Sequence, residues 1–484
     1  MKPLSLFLSA ILGGLLVMSG CMKMGPDFSR PDTGICVPGA YQHIPAGSVS
    51  PMPEDRWWTV FNDSTLNKLV DSALENNLDI KKATARILEI RAHFVEARAD
   101  RFPSVSVKGT GKRQLTSTGE SDAYNLSLPA FFELDLWGRL ARAQEAARAD
   151  LVQEEENART VAQTVAAETS TLYLEMESLE RRIQITRQSV ENYRRNLALV
   201  ERRYEGGITS ILDLRQARRI LAEAEASLPS LRQDLGIKQQ QLAVLLGHYP
   251  KTQPARSQPE DYFKRLVPVP PGLPSDLLMR RPDVRAAEAN LVALNARIGV
   301  ARANRFPQIT LTGSFGYSSS ELDRLFRPEN ELWNLTLGIV QPLFDAGKLK
   351  AGQKAAEARY EQGLAEYAKT VLTAFSEVEK ALLTRKEQLE KRERTVNFLT
   401  EARATQKVAE SRYERGLEDY LTVLDAQQTR FQAEEKLVLV DLAILSNRVT
   451  LHRALGGGWA DPTLSQHEKE LQTKHINKKE KLQR

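Results

Sequence analysis

The chain states one pattern twice. Arg101-Phe102-Pro103 leads into strand-like sequence, then Leu136-Trp137-Gly138-Arg139, then a long helix to Arg203-Tyr204-Glu205-Gly206-Gly207. Arg305-Phe306-Pro307 leads into strands, then Phe344-Asp345-Ala346-Gly347, then a long helix to Arg412-Tyr413-Glu414-Arg415-Gly416. Gly347 follows Gly138, and Arg412 follows Arg203, at the same step of 209 residues. Equal steps across such distances mean a tandem duplication with matched helix lengths. An enzyme pocket does not require that, whereas a long pseudo-symmetric object does.

The helical stretches are long and free of proline from Gly138 to Leu228 and from Leu343 to Asp461, where Ala, Glu, Arg and Leu favour helix. Gly138 to Arg203 spans roughly 98 Å at about 1.5 Å per residue. Each long helix breaks at a glycine, Gly206-Gly207 or Gly416, and returns over 208–246 or 417–455. An earlier helix is expected from Asp63 to about Arg101, ended by Phe102-Pro103.

After each Phe-Pro the period becomes two. Val105 and Val107 alternate with serines, a polar loop is expected at 115–122, and Tyr124, Leu126 and Leu128 alternate again. The second half repeats this with Ile309, Leu311, Phe315 and Tyr317, then Leu335, Leu337 and Ile339. Each half thus carries one hairpin with strands of about ten residues, the length that spans an outer membrane when tilted. Four strands cannot close a barrel, and open edges are intolerable in lipid. Three copies supply twelve strands, so a homotrimer is expected.

The N-terminus supplies an address. Lys2 precedes a short apolar run, Leu4 to Val17, then Met18-Ser19-Gly20-Cys21. This resembles the lipobox of bacterial lipoproteins, with Met18 where Leu is preferred. The resemblance implies cleavage before Cys21 and acylation of it, palmitate included. Met22-Lys23 lacks the Asp of inner membrane retention. Cys36 is then without an intrachain partner, which excludes a disulfide scaffold. The net charge of +5 is largely terminal, in Lys2 and the basic residues beyond His467, so the body is near neutral and no nucleic acid is expected.

Taken in order, Asn76-Asn77-Leu78-Asp79-Ile80, Arg101-Phe102-Pro103, Leu134-Asp135-Leu136-Trp137-Gly138-Arg139, Arg203-Tyr204-Glu205-Gly206-Gly207 and Leu212-Asp213-Leu214 form a specific set. So do Arg280-Arg281-Pro282-Asp283-Val284, Arg305-Phe306-Pro307, Pro342-Leu343-Phe344-Asp345-Ala346-Gly347 and Tyr420-Leu421-Thr422-Val423-Leu424-Asp425-Ala426. Over about residues 55–456 the chain resembles the outer membrane efflux proteins, the TolC-like outer membrane factors, and among them the lipoprotein branch of multidrug systems. The resemblance implies a mainly α fold with a transmembrane β part. In that fold a trimer forms a twelve-stranded outer membrane β-barrel, four strands per chain, continuous with a long periplasmic α-helical barrel. It also implies a passive duct, gated at the periplasmic end, that docks to a periplasmic adaptor and an inner membrane pump.

The resulting division is a signal peptide (1–20), an acylated arm among outer membrane lipids (21–60), and a first repeat (61–250) with its hairpin at about 103–136. A linker (251–273), a second repeat (274–458) with its hairpin at about 307–343, and a polar tail (459–484) complete it. Pro103, Trp137, Gly138, Pro307, Phe344 and Gly347 are the expected helix–strand junctions. Arg203, Tyr204, Gly206, Gly207, Arg412, Tyr413 and Gly416 are the expected hairpin tips and adaptor contacts. In the family pattern two carboxylates one turn apart ring the closed pore; Asp425 matches the upper one and Thr422 stands in the place of the other. Arg412, Arg415 and Arg430 are candidate partners of Asp425.

No catalytic set accompanies Asp213 or Asp425, no zinc-ligand spacing exists, and Gly456-Gly457-Gly458 lacks the Lys-Ser/Thr of a phosphate loop. No enzyme, cofactor or metal is expected. The alternative is a periplasmic coiled-coil scaffold lipoprotein without channel activity, which explains the helices but not the hairpins. The exported substrate is not written in the sequence.

Overall fold

The computed structural model describes residues 23–32, 34, 35, 39, 41–43, 56–117, 119–251 and 280–457. Cys21, Cys36, most of the arm and linker, and the polar tail lie outside the described residues.

The first helical stretch is two helices, not one. α1 (Ser64–Asn76) starts on Asp63, whose carboxylate accepts from the Thr65 and Leu66 amides, a cap worth about 1 kcal/mol. α2 (Leu78–Ala99) follows directly. The expected continuous helix breaks because Asn77 serves both ends. Its Oδ1 accepts from Asp79 and Ile80 at the start of α2, and its Nδ2 donates to the Leu245 carbonyl at 2.9 Å. That acceptor lies 168 residues away, so the local pattern could not show the break.

The first hairpin is built of β1 (Ser104–Val105), β2 (Lys108–Thr116) and β3 (Gly119–Glu133). β1 and β2 pair with β3 in one register, Val105 to Ala130 and Lys108 to Ser127, and so form one strand interrupted at 106–107. The interruption faces Pro129, which accepts from the Ser106 amide at 3.0 Å but has no N–H to return. The polar loop expected at 115–122 is a correction: Leu115 pairs with Glu120 and Thr116 with Gly119, leaving only 117 and 118 between the strands. Ladder bonds join backbone groups, so polar residues pair as readily as apolar ones where no face is packed on a core.

α3 (Arg139–Glu205) and α4 (Ile211–Leu245) complete the first half. α5 (Pro282–Ala303), β4 (Gln308–Ser319), β5 (Glu331–Val340), α6 (Lys348–Glu414) and α7 (Tyr420–Ala454) form the second. α3 and α6 are both 67 residues long, and α4 and α7 both 35, each pair at the 209-residue step. The sheet is antiparallel, ordered β1/β2-β3-β4-β5. Among the described residues no helix is long and apolar enough to cross a membrane.

The chain divides into two compact units. One comprises the sheet with Ala83–Asn157, Asp283–Val371 and the residues up to Ile35. The other comprises Cys36–Lys82, Ala158–Pro282 and Leu372–Arg484. In the second unit Trp57, Trp58, Phe61, Leu66 and Val70 pack with Tyr173, Leu174, Leu445 and Val449. Each such large side chain contributes about 1.5–3 kcal/mol by leaving water. Buried Asp441 of α7 is held by Arg392 of α6 at 2.7 Å, with Arg181 of α3 at 3.8 Å.

Candidate functional site

Two sets of residues were singled out by the sequence, and each lies within one unit. The helix–strand junctions belong to the first. Trp137 stacks on Phe306 at 4.9 Å, and its Nε1 donates to the Pro307 carbonyl at 2.8 Å. The exit from the first hairpin therefore meets the entry to the second. Gly138 and Gly347 both adopt positive φ, 71° and 86°, as each strand turns into a long helix. Asp135 caps α3 through the Leu140 and Ala141 amides, and Asp345 caps α6 through Leu349. Pro103 and Phe344 are exposed. The sequence reading missed Gln144 and Gln353, which accept from Arg101 and Arg305 of the two Arg-Phe-Pro runs at 2.7 Å each. Their equal spacing at 209 residues was the available signal.

The hairpin tips belong to the second unit. α3 ends when Gly207 takes φ 70°; its amide bonds to Tyr204 O, and the Ile208 amide bonds to Arg203 O. α6 ends identically at Gly416, φ 72°, with Tyr413 O and Arg412 O as acceptors. These are Schellman motifs, in which the left-handed residue lets the chain satisfy the last carbonyls. Only Gly207 and Gly416 need the left-handed region; Gly206 has no counterpart glycine in the second half, where Arg415 stands.

α4 begins with a reciprocal cap. The Asp213 amide bonds to Ser210 Oγ while the Asp213 carboxylate accepts from the Ser210 amide and from Thr209. Partial burial pushes the Asp213 carboxyl up, but the hydrogen bonds from Thr209 and Ser210 outweigh it and hold it below its usual range. Ser210-x-x-Asp213 has capping-box spacing, a signal the sequence reading missed, and it explains this carboxylate.

Arg203 joins the two hairpins. Its guanidinium donates to the Tyr413 and Glu414 carbonyls at 3.3 Å each and lies 4.4 Å from the Tyr413 ring centroid. Tyr413 meets Tyr420 at 5.4 Å. Burial, then neighbouring Tyr413, push the Tyr420 phenol well above its ordinary range. Beneath them Val200, Leu214, Ile220, Val423 and Leu424 bury one core shared by α3, α4, α6 and α7. Tyr204 remains exposed, as do Ile208, Ile211, Leu212, Leu417 and Leu421.

Asp425 and Thr422 share the exposed face of α7, three residues apart, while Val423, Leu424 and Ala426 face the core. Thr422 donates to the Glu418 carboxylate at 3.3 Å. Of the candidate partners of Asp425, Arg412 bonds Glu418 at 3.2 Å and Arg430 lies 3.9 Å from Glu434. No cluster of metal-ligating side chains occurs among the described residues.

The sequence matches the outer membrane efflux protein family over residues 69–248 and again over 273–457, once per repeat. The chain belongs to the outer membrane efflux protein family. Among relatives, the toluene efflux pump outer membrane protein TtgI of Pseudomonas putida is 34% identical, over 94% of this chain and 99% of that protein. The cation efflux system protein CusC of Escherichia coli K12 is 32% identical, over 92% and 97%. A crystal structure of CusC superposes with a TM-score of 0.82 at 31% identity, covering 90% of this chain and 99% of that one. The open state of the Neisseria gonorrhoeae MtrE channel gives 0.82 at 27% identity, covering 90% and 98%. This efflux protein has the TolC-like fold, mainly α with a partial β-sheet. It is the outer membrane channel component of a tripartite efflux system, a duct rather than an enzyme.

Proposed function

We propose that three copies of this efflux protein close a twelve-stranded barrel through the outer membrane, extended into the periplasm by their helices. The supporting observation is the two-faced sheet. Strand alternation puts Leu126, Leu128, Leu311, Phe315, Trp333, Leu335, Leu337 and Ile339 on one face, and Ser127, Thr310, Thr312, Ser314, Asn334 and Thr336 on the other. An apolar outer face and a polar lumen are what a membrane barrel requires. β5 and the β1/β2 strand each have one edge unpaired within the described chain, and the next copy would supply the missing partner.

In this reading Cys21 carries the acyl anchor of the lipoprotein branch. The exposed apolar residues Ile208, Ile211, Leu212, Leu417 and Leu421 at the tips receive helical hairpins of the adaptor, which links the trimer to the inner membrane pump. Asp425, with Thr422 below it, rings the periplasmic gate; three like charges there repel one another, so closure rests on other contacts.

Detergent-purified protein should run as a trimer with β-signal and conduct in planar bilayers. Asp425→Ala should lower cation preference and weaken block by multivalent cations from the periplasmic side. Monomers, or helical trimers without conductance, would overturn the barrel and leave the scaffold reading. Unchanged selectivity and block would move the gate elsewhere.

A further inference from the structure

The polar face of the sheet carries an unbalanced charge on β2. β2 places Lys108, Thr110, Lys112 and Gln114 on that face, opposite Ser127, Asn125, Ala123 and Ser121 of β3. Asn125 Nδ2 donates to Thr110 Oγ1 at 3.3 Å and Ser318 Oγ donates to Asn125 Oδ1 at 2.5 Å, a ladder across three strands between the two lysines. Neither lysine makes an ion pair among the described residues. The one carboxylate on this face among them, Glu133, is spent at the end of β3 in a bidentate pair with Arg139, 2.6 and 2.9 Å. The other face shows the contrast: Arg113, between the two lysines and Glu120 in sequence, meets Glu120 at 3.0 Å and Asp122 at 3.4 Å.

The register gives the height of the lysines. Lys108 is level with Ser127 and, through it, with Gly316 and Leu332; Lys112 pairs with Ala123, one step beyond the last β3–β4 pair, Tyr124 with Ser319. On their own strand they flank its midpoint, Lys108 four residues from Ser104 and Lys112 four from Thr116, about 13 Å apart at the usual rise per residue. They are level with the far end of the shorter β4–β5 hairpin. The β4–β5 loop at this end is nearly balanced. Arg324 pairs with Glu321 and Arg327 lies 3.9 Å from Glu329, leaving Asp323, while Glu331 belongs to the apolar face.

Resting on the barrel reading above, we propose that Lys108 and Lys112 form a cationic vestibule on the lumen wall of the duct, which favours anionic organic solutes on exit. Three copies bring six ammonium groups to the lumen wall, and the one strand carboxylate on that face among the described residues, Glu133, is paired with Arg139. Lysines on a wet wall act through their field rather than by binding, so the effect depends on screening. The Debye length is about 8 Å at physiological ionic strength and about 30 Å at 0.01 M, so a wide barrel is influenced across its bore only in dilute salt.

The test is the reversal potential of purified trimers in planar bilayers under a dilute potassium chloride gradient. Wild type should show an anion-over-cation permeability ratio about twofold or more above that of a K108Q/K112Q variant, and the difference should vanish near 1 M salt. K108R/K112R, which keeps the charge, should behave as wild type; Asp425→Ala should leave the lysine-dependent difference in place. Block by an anionic dye, naphthalene trisulfonate, added from the outer side should weaken in K108Q/K112Q. An unchanged ratio in dilute salt, with conducting K108Q/K112Q trimers, overturns the vestibule and spares the barrel. Wild-type protein that forms no trimer or conductance overturns both.

Discussion

His452 sits on α7 with its ring stacked on Trp57 at 5.3 Å, only 3% exposed, and neither ring nitrogen has a partner. Burial, then neighbouring Arg448, hold its imidazole down to about 3. Arg448 is itself lowered to about 10 by burial and then by Arg385. Arg448 is the charged group acting on the ring, and it opposes a second positive charge beside it. The unfolded chain takes up the proton near the ordinary value of 6.5, long before the folded one does. The stability contributed by neutral His452 is therefore present above pH 6.5 and is lost as pH falls from there toward about 3, with a slope near 1.4 kcal/mol per unit. His452→Phe should flatten that part of the acid dependence of thermal unfolding followed by helical circular dichroism. Parallel wild-type and variant curves between pH 7 and 4 would show that the ring is not buried neutral.

At the scale of the element, the hairpin tips are set by backbone conformation alone. A Cβ added at Gly207 or Gly416 would meet nothing within 4 Å, so sterics with neighbours are not the reason for glycine. The reason is positive φ, which costs an L residue about 1–2 kcal/mol, and a β-branched one more. Gly207→Val and Gly416→Val should therefore distort the turns and weaken site-specific crosslinking to the adaptor while leaving the trimer intact. Gly206→Ala, at a position without positive φ, should be close to silent. Full crosslinking in both valine variants would remove the tips from the docking surface. Arg203 adds what no glycine pattern conveys: its bonds to Tyr413 O and Glu414 O tie the end of α3 to the end of α6 across 210 and 211 residues of chain.

For the molecule as a whole, the N-terminal arm is the least local feature. Arg142 of α3, 1% exposed, donates to the carbonyls of Met24, Gly25 and Pro26 at 3.1–3.3 Å and to the Asp27 carboxylate at 2.9 Å. Asn295 of α5 adds a second bond to Pro26, and Arg30 forms a bidentate pair with Glu288. A Cβ at Gly299 would lie 2.7 Å from Met24 O, so the arm and α5 approach too closely for any side chain there. Arg142→Ala leaves several carbonyls without a donor, at about 1–3 kcal/mol for each that stays buried. It should expose the Lys23–Met24 bond to trypsin while the sheet signal persists. Continued protection would mean that other contacts suffice. Acylation is a separate matter, read by mass spectrometry of the mature N-terminal peptide; an unmodified terminus at another residue would refute the Cys21 anchor, whatever the arm does.

The repeat, the equal long helices, the two hairpins and the Gly207 and Gly416 reversals were legible because each is encoded within a few residues of where it acts. Helix length follows from absent proline, strand faces from alternation, and a reversal from the one residue that tolerates positive φ. The break at Asn77, the pairing of 115–122, the junction of Trp137 with Pro307, and the arm under Arg142 were decided only in three dimensions. The polar stretch 115–122 pairs with itself across a tight turn, where polarity alone does not tell strand from loop. The others depend on a partner supplied from elsewhere: Leu245 O for Asn77, Pro307 O for Trp137, three arm carbonyls for a buried guanidinium. Hydrogen-bond partners across such separations leave no periodic trace, because any nearby acceptor serves and backbone carbonyls are common to every residue. The sequence determined that this chain is a duplicated helical and strand object; which polar groups lock its pieces together was a property of the fold.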